Sequence, residues 1–411
     1  MLGRRRAAVD ATRRLAGNRA MTMSPKRNPR LAGFAALDGL GRYGVQDMFE
    51  GCPRAAAAGV PTSVAAVYGG RAPWPAPSGR GVARYGARLP YETFPTLGEG
   101  ATPLLPLPAQ CGLAALWLKR EFANPTGSHK DRMSPLAVAR ALDVGARGVL
   151  ASSSGNAALS AAAYAAAAGL PCSVIVTPDL TDAYRRAIVR TGARFVVCGD
   201  SLARWDIAAR MVRDEGWFPL TNHMLPPVGS NPFGVQGYKT IAYEIAEDLG
   251  AAPDAVLVPT ARGDLIWGIG AGFLELAEEG VIARPPRLIA VEPIPRLSRI
   301  LAGKAAVTDS FPGTTRQFST AGGTATDASL RAVRDSGGTA LHVTDEAAQR
   351  GQIALAQLGV DAELCAGGAY AAIGALHEAG ALREGETAVV ILTAGSAREP
   401  TDAALPPLAV T

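Results

Sequence analysis

Residues 148–178 read GVLASSSGNAALSAAAYAAAAGLPCSVIVTP, a stretch without a single charged side chain. Its length raises the question of a membrane span, which needs about 20 consecutive apolar residues. Ser152, Ser153, Ser154 and Asn156 interrupt it, and Gly155, Gly169 and Pro171 break its regularity. The interruptions divide it into an apolar strand at 148–151, a polar turn, an alanine-rich helix at 157–168 and a β-branched strand at 172–177. Uncharged strands of this kind are buried on both faces, as in a parallel sheet covered by helices. The stretch is therefore expected to lie inside an α/β domain, not in a membrane.

The same rhythm continues in both directions. Upstream, 116–120 reads as a short strand and 134–142 as a helix. Downstream, helices are expected at 181–191 and 200–215 around a strand at 194–198. After a helix at 236–249, strands follow at 255–258, 288–291, 339–343 and 388–392. Short strands spaced by helical stretches predict parallel sheets with crossover helices. The expected fold is α/β, with two open α/β domains, parallel-rich sheets and a cofactor in the cleft between them. A small substrate-binding domain is placed at 148–235, inserted in a large cofactor-binding domain made of 96–147 and 236–411. Residues 31–95, rich in Gly, Pro and Ala, read as an extended N-terminal segment.

Residues 1–30 hold nine Lys or Arg against the single acid Asp10, so the net +5 of the whole chain leaves about −3 on the other 381 residues. This basic stretch is expected to be a disordered, solvated tail and not a nucleic-acid or membrane contact. It lacks the apolar core of a secretory signal, and Met21 or Met23 is a candidate alternative start. Five widely separated cysteines (Cys52, Cys111, Cys172, Cys198, Cys365) and four histidines form no metal-ligand spacing. A reducing cytoplasm and no metal are expected.

Chemistry is concentrated in a few turns. Asn124-Pro125-Thr126-Gly127-Ser128-His129-Lys130-Asp131-Arg132 sets a lysine among small residues, as a covalently held aldehyde cofactor requires for a Schiff base. The plain alternative is a solvated loop lysine. Asp131 and Arg132 are expected to pair, His129 to pack, and Tyr238 and Lys239 to lie at a surface or interface. Asn156 either caps the alanine-rich helix or bonds a ring oxygen, and the amides around Ser153, Ser154 and Gly155 suit an anion. Ala261-Arg262-Gly263-Asp264-Leu265 opens a glycine-containing helix and suits a phosphate, with Arg262 offsetting Asp264; an ordinary βα turn is the alternative. Thr393 offers a neutral hydroxyl, which against a ring nitrogen would leave that nitrogen unprotonated. Thr320 and Thr324 lie in a hydroxyl- and glycine-rich run, 318–326, that is either substrate-facing or an ordinary turn.

On Asn124–Arg132, Ser153–Ala157 and the run 236–244 (Gln-Gly-Tyr-Lys-Thr-Ile-Ala-Tyr-Glu), the chain resembles the threonine synthase family and, more broadly, the tryptophan-synthase-β-like pyridoxal-phosphate enzymes. The resemblance covers roughly residues 45–400. It implies pyridoxal 5'-phosphate as cofactor, held covalently by Lys130, with Asn156 at the ring hydroxyl. It places the phosphate at 261–265, Thr393 at the ring nitrogen and the substrate carboxylate at Ser154 and its neighbours. It also implies a homodimer acting on a small amino acid: O-phospho-L-homoserine and water giving L-threonine and phosphate, or elimination or replacement on a serine-, threonine- or O-activated-serine-like substrate. The chain departs from the family at His129, usually phenylalanine, at 261–264 and at 393–396. Cys52 stands alone where some relatives carry a second cysteine. Two other classes remain open at this point, a catalytically weakened regulatory protein and a nicotinamide enzyme, and the latter lacks its glycine fingerprint.

Overall fold

The computed structural model describes residues 24–199 and 203–400. Two parallel sheets dominate it. The four-stranded sheet runs Arg194–Val197, Cys172–Val176, Val149–Ser152, Phe218–Pro219, all parallel. The six-stranded sheet runs Thr339–His342, Arg287–Glu292, Ala255–Pro259, Thr387–Leu392, Ala115–Arg120, Leu104–Leu107. Its first five strands are parallel and the last is antiparallel. The chain is thus an α/β protein in which the larger sheet draws strands from both sides of the smaller one.

The uncharged stretch is explained by its surroundings. Every residue of Cys172–Val176 is buried, and the helix Asn156–Ala167 presents Ala158, Ala161, Ala162 and Ala165 to the core of the small sheet. Alanine here serves both helix propensity and close approach to the sheet. No helix among the described residues is long and apolar enough to cross a membrane. Observed boundaries lie within a residue or two of expectation for most strands. The helix expected at 200–215 is described at Ala203–Arg213, residues 200–202 lying outside the described residues. The helix Ser134–Asp143 packs in both cores: Ala137, Val138 and Ala141 against the small sheet, Leu136 and Ala139 against the large one.

The N-terminal segment is more structured than composition suggests. Arg42–Tyr43, Leu31–Ala36 and Val64–Tyr68 form an antiparallel sheet, and Val82–Arg88 is a 3-10 helix. Residues 24–30 do not belong to a disordered tail. Lys26–Arg27 pairs with Tyr91–Thr93, and the buried Asn28 donates to the carbonyls of Ala87 (3.0 Å) and Leu89 (2.9 Å). A buried amide with both donors engaged anchors the chain where its charge pattern read as solvated. The rest of the basic tail, 1–23, and the C-terminal 401–411 lie outside the described residues.

Loops at the carboxyl ends of strands meet between the sheets, where open α/β folds place ligands. Ser153–Asn156 follows one strand of the small sheet. Thr260–Asp264 and Thr393–Ser396 follow two strands of the large one. The lysine turn is tied into this edge: Ser128 bridges Ala394, and the His129 amide donates to Thr393 O at 2.9 Å.

Candidate active site

A cleft of about 1050 Å³ collects these loops. Lys130, Ser153, Ser154, Gly155, Asn156, Ala261, Arg262, Gly263, Asp264, Leu265, Thr320, Thr324 and Thr393 all line it, although they come from five separate segments of the chain. Sequence reasoning therefore named residues that folding brings to one place.

Lys130 sits on the 3-10 turn His129–Arg132, started by Ser128, whose hydroxyl accepts from the Lys130 amide at 3.3 Å. Among the described residues its amine has one hydrogen-bond partner, the Tyr238 hydroxyl at 3.4 Å. Burial lowers its pKa, with Arg262 adding to the effect and Asp264 and Glu363 opposing it. A lysine so placed is richer in free amine at neutral pH than a solvated one. Tyr238 and Lys239, expected at a surface or interface, are both buried within the chain. Tyr238 lies under the amine, and Lys239 donates to Glu275 (2.9 Å) and Arg88 O (3.0 Å). His129 packs at 5.7 Å from the Tyr238 ring, and burial holds its imidazole neutral.

Asp131 and Arg132 do not pair with each other. Asp131 accepts from the Thr126 amide (2.5 Å) and hydroxyl (2.6 Å). Arg132 turns the other way and forks onto both Glu121 (2.6 and 2.7 Å) and Glu244 (2.8 and 2.8 Å). Adjacent side chains on a tight turn point apart, and two carboxylates already stand on Arg132's side.

The two helix starts differ in what they leave open. Gly155 occupies the cap position of Asn156–Ala167, so the Asn156 side chain is released from capping. Its Oδ1 accepts from the Tyr184 hydroxyl at 2.7 Å, and its Nδ2 donates to Ser319 Oγ at 3.4 Å. The Ser154 hydroxyl is engaged with Thr177 (2.8 Å). Among the described residues, the amides of Ser154, Asn156 and Ala157 donate to nothing. The same holds for the amides from Ala261 to Ile266 at the start of the helix Asp264–Glu278. Gly263 has φ +97°, and a Cβ there would stand 2.1 Å from Ser329 Cβ. Asp264 turns its carboxylate to the Ser230 hydroxyl (2.7 Å) and amide (3.1 Å). Arg262 has a buried Nε without a partner, and burial pulls its pKa down to about 10.

This donor set fits pyridoxal phosphate. Six unspent amides at a helix start, beside a guanidinium with no salt bridge among the described residues, suit a phosphate. A desolvated amine suits an aldehyde, and the second group of free amides suits an amino acid's carboxylate. Thr393 lines the cleft, as the other named residues do. Its hydroxyl donates to Glu363 at 2.6 Å. Glu363 and Tyr184 were not singled out by sequence reasoning, and Ser319 only as part of the run 318–326. The only available signal was an acidic residue at the start of the buried helix Leu364–Glu378.

Comparison with known proteins agrees with this geometry. A profile described as "Pyridoxal-phosphate dependent enzyme" matches residues 95–394. Threonine synthase of Mycobacterium leprae (strain TN) is 31% identical over 337 residues, covering 80% of this chain and 90% of that protein. Threonine synthase of Methanosarcina acetivorans is 32% identical over 333 residues, covering 77% and 80%. Among solved structures, an L-serine ammonia-lyase from the fungus Rhizomucor miehei superposes with TM-score 0.62 at 22% identity, covering 74% of this chain and 95% of that one. Maize serine racemase gives 0.61 at 21%, covering 72% and 88%. At that identity the structural likeness speaks for the fold alone. With the profile spanning most of the chain and the cleft carrying the donors such a cofactor needs, this protein belongs to the pyridoxal-phosphate-dependent enzyme family.

Proposed function

We propose that the protein is a pyridoxal-phosphate-dependent lyase that works through Lys130 on a serine-, threonine- or O-activated-serine-like amino acid, by elimination or replacement at the β-carbon. The observation that carries this reading is the Lys130 amine: half-buried, depressed in pKa by desolvation, held among the described residues by the Tyr238 hydroxyl and set in a cleft lined by free anion-binding amides. When bound, pyridoxal phosphate supplies an electron sink for the pair left at the substrate α-carbon as its proton departs. Lys130 Nζ takes that proton and returns it later in the cycle. The Ser154, Asn156 and Ala157 amides orient the substrate carboxylate, and those of 261–266, with Arg262, hold the phosphate. Proteins that share this fold include a serine racemase, an L-serine ammonia-lyase and an O-ureido-L-serine synthase, which supports an amino acid of this size.

A second reading is the conversion of O-phospho-L-homoserine to L-threonine, the activity named for the sequence relatives. One feature of the cleft favours it. Arg204 and Arg262 both lie against the Trp205 ring, at 5.4 and 5.1 Å, and neither guanidinium has a salt bridge among the described residues. With Arg262 on the cofactor phosphate, Arg204 on the same wall is left to meet an additional anion.

Cofactor-loaded protein is offered L-serine, L-threonine, O-acetyl-L-serine with sulfide, and O-phospho-L-homoserine. The 2-oxo acid, ammonia, replacement product, threonine and phosphate are quantified. Turnover of the first three supports the main reading. Equimolar threonine and phosphate from the fourth alone replaces it with the second. No turnover of any substrate contradicts both.

A further inference from the structure

Asn156 opens the helix Asn156–Ala167 on the cleft wall, and its side-chain amide is held at both ends. Oδ1 accepts from the Tyr184 hydroxyl at 2.7 Å, and Nδ2 donates to Ser319 Oγ at 3.4 Å. The two partners lie in different places. Ser319 lines the cleft, whereas Tyr184, on the helix Asp182–Val189, is buried in the core of the small sheet and is no part of the cleft wall. The oxygen end of the amide thus points back toward the small sheet and the nitrogen end toward the ligand space. Nδ2 carries two hydrogens. Ser319 takes one at a long distance, and the other has no acceptor among the described residues.

A side-chain amide can lie either way round, and its neighbours decide which. Ser319 gives its single proton to Glu363 at 2.5 Å, so it accepts from Asn156 and does not donate to it. Tyr184 has the larger stake. Burial raises its pKa, with Glu363 adding to the effect, so the hydroxyl keeps its proton at neutral pH. Among the described residues, Asn156 Oδ1 is the acceptor of that proton. A turned amide would leave the tyrosine proton buried without an acceptor, which is costly. The same bond also ties two helices beside the small sheet to one another, and only the response of the cofactor separates the two roles.

We propose that Tyr184 is a positioning residue whose hydroxyl fixes the Asn156 amide so that Nδ2, and not Oδ1, meets the phenolic oxygen of bound pyridoxal phosphate. This rests on the pyridoxal-phosphate reading of the cleft, to which it adds the group that sets the amide's direction. The direction matters chemically. A fixed N–H donor favours the ionised form of the phenolic oxygen alone. An amide free to turn also serves the protonated form, by accepting from it through Oδ1. Tyr184 acts only through Asn156.

The absorbance of the bound cofactor reads the state of that oxygen: the ionised form absorbs in the visible, the protonated form in the near ultraviolet. Wild type, Tyr184→Phe, Asn156→Ala and the double variant are loaded with pyridoxal phosphate, and the ratio of the two bands is recorded. The wild type is expected to absorb chiefly in the visible. Tyr184→Phe is expected to lower the ratio about fivefold, the worth of one neutral hydrogen bond. Asn156→Ala should lower it about tenfold or more, as for a bond to a charged group. The double variant should fall no further than Asn156→Ala, because one residue acts through the other. A wild-type ratio in Tyr184→Phe overturns the inference and leaves that bond a structural role alone. A wild-type ratio in Asn156→Ala, or effects that add in the double variant, also overturns it. So does a wild type that binds cofactor yet absorbs only in the near ultraviolet, and in each of these cases the proposed function stands. A wild type that binds no cofactor removes both the function and the inference built on it. If Tyr184→Phe fails to fold, Tyr184→Met, likewise without a hydroxyl, is read in its place.

Discussion

Replacing Arg132 by Met tests how the lysine turn is held in place. Its guanidinium is fully buried and bonds six oxygens of Glu121, Glu244, Thr102 and Thr240, between 2.6 and 3.0 Å. Removing one partner of a buried ion pair costs about 3–5 kcal/mol, because the other charge stays behind. Here two carboxylates lose it. Glu244 keeps Lys119 at 2.8 Å, whereas Glu121 keeps only Thr102 and Asn124. The upper half of that range is therefore expected for Arg132→Met. Urea unfolding of the cofactor-free protein, followed by tryptophan fluorescence, measures it. The pH dependence has a definite sign. In the wild type, Arg132 and Lys119 hold the Glu244 carboxyl well below the usual range, so its contribution is present above the unfolded pKa and is lost as pH falls. In the variant Glu244 loses Arg132 and keeps Lys119, so less of that stability is present above the unfolded pKa, and the stability gap to the wild type narrows as pH falls through the usual carboxylate range. A loss below about 1 kcal/mol, or a gap that widens on acidification, refutes the reasoning.

Gly263→Ala places a Cβ 2.1 Å from Ser329 Cβ on a residue with φ +97°. It is expected to cost about 2–4 kcal/mol from left-handed strain and overpacking together, read by urea unfolding; a change within 0.5 kcal/mol or so contradicts the geometry. Arg262→Ala removes a guanidinium with no acceptor among the described residues, so cofactor-free stability should hold while the dissociation constant for pyridoxal phosphate rises about tenfold or more, as for a charge-assisted bond. An unchanged constant by fluorescence titration removes Arg262 from the phosphate site.

How much of this was legible beforehand differs by region. The uncharged run 148–178 announced its buried parallel sheet because both faces of Cys172–Val176 are covered. The turns of the cleft were legible because lysine among small residues, and glycine before a helix, are local signals. Glu363 was not, because its meaning comes from Thr393 and Ser319, distant in sequence and adjacent only after folding. Tyr238 and Lys239 were misplaced for a related reason. A polar tip says little about burial when a partner such as Glu275 waits in the interior. Asn28 shows the converse, since basic neighbours concealed one amide whose bonds hold residues 24–30 to the body.

The central claim is that Lys130 holds pyridoxal phosphate covalently. Wild type and Lys130→Ala are incubated with the cofactor, reduced with borohydride, digested and mapped by mass spectrometry. The account predicts one phosphopyridoxyl group on the peptide containing Lys130 in the wild type, and none in the variant. Label spread over surface lysines, or equal label in both proteins, would contradict it.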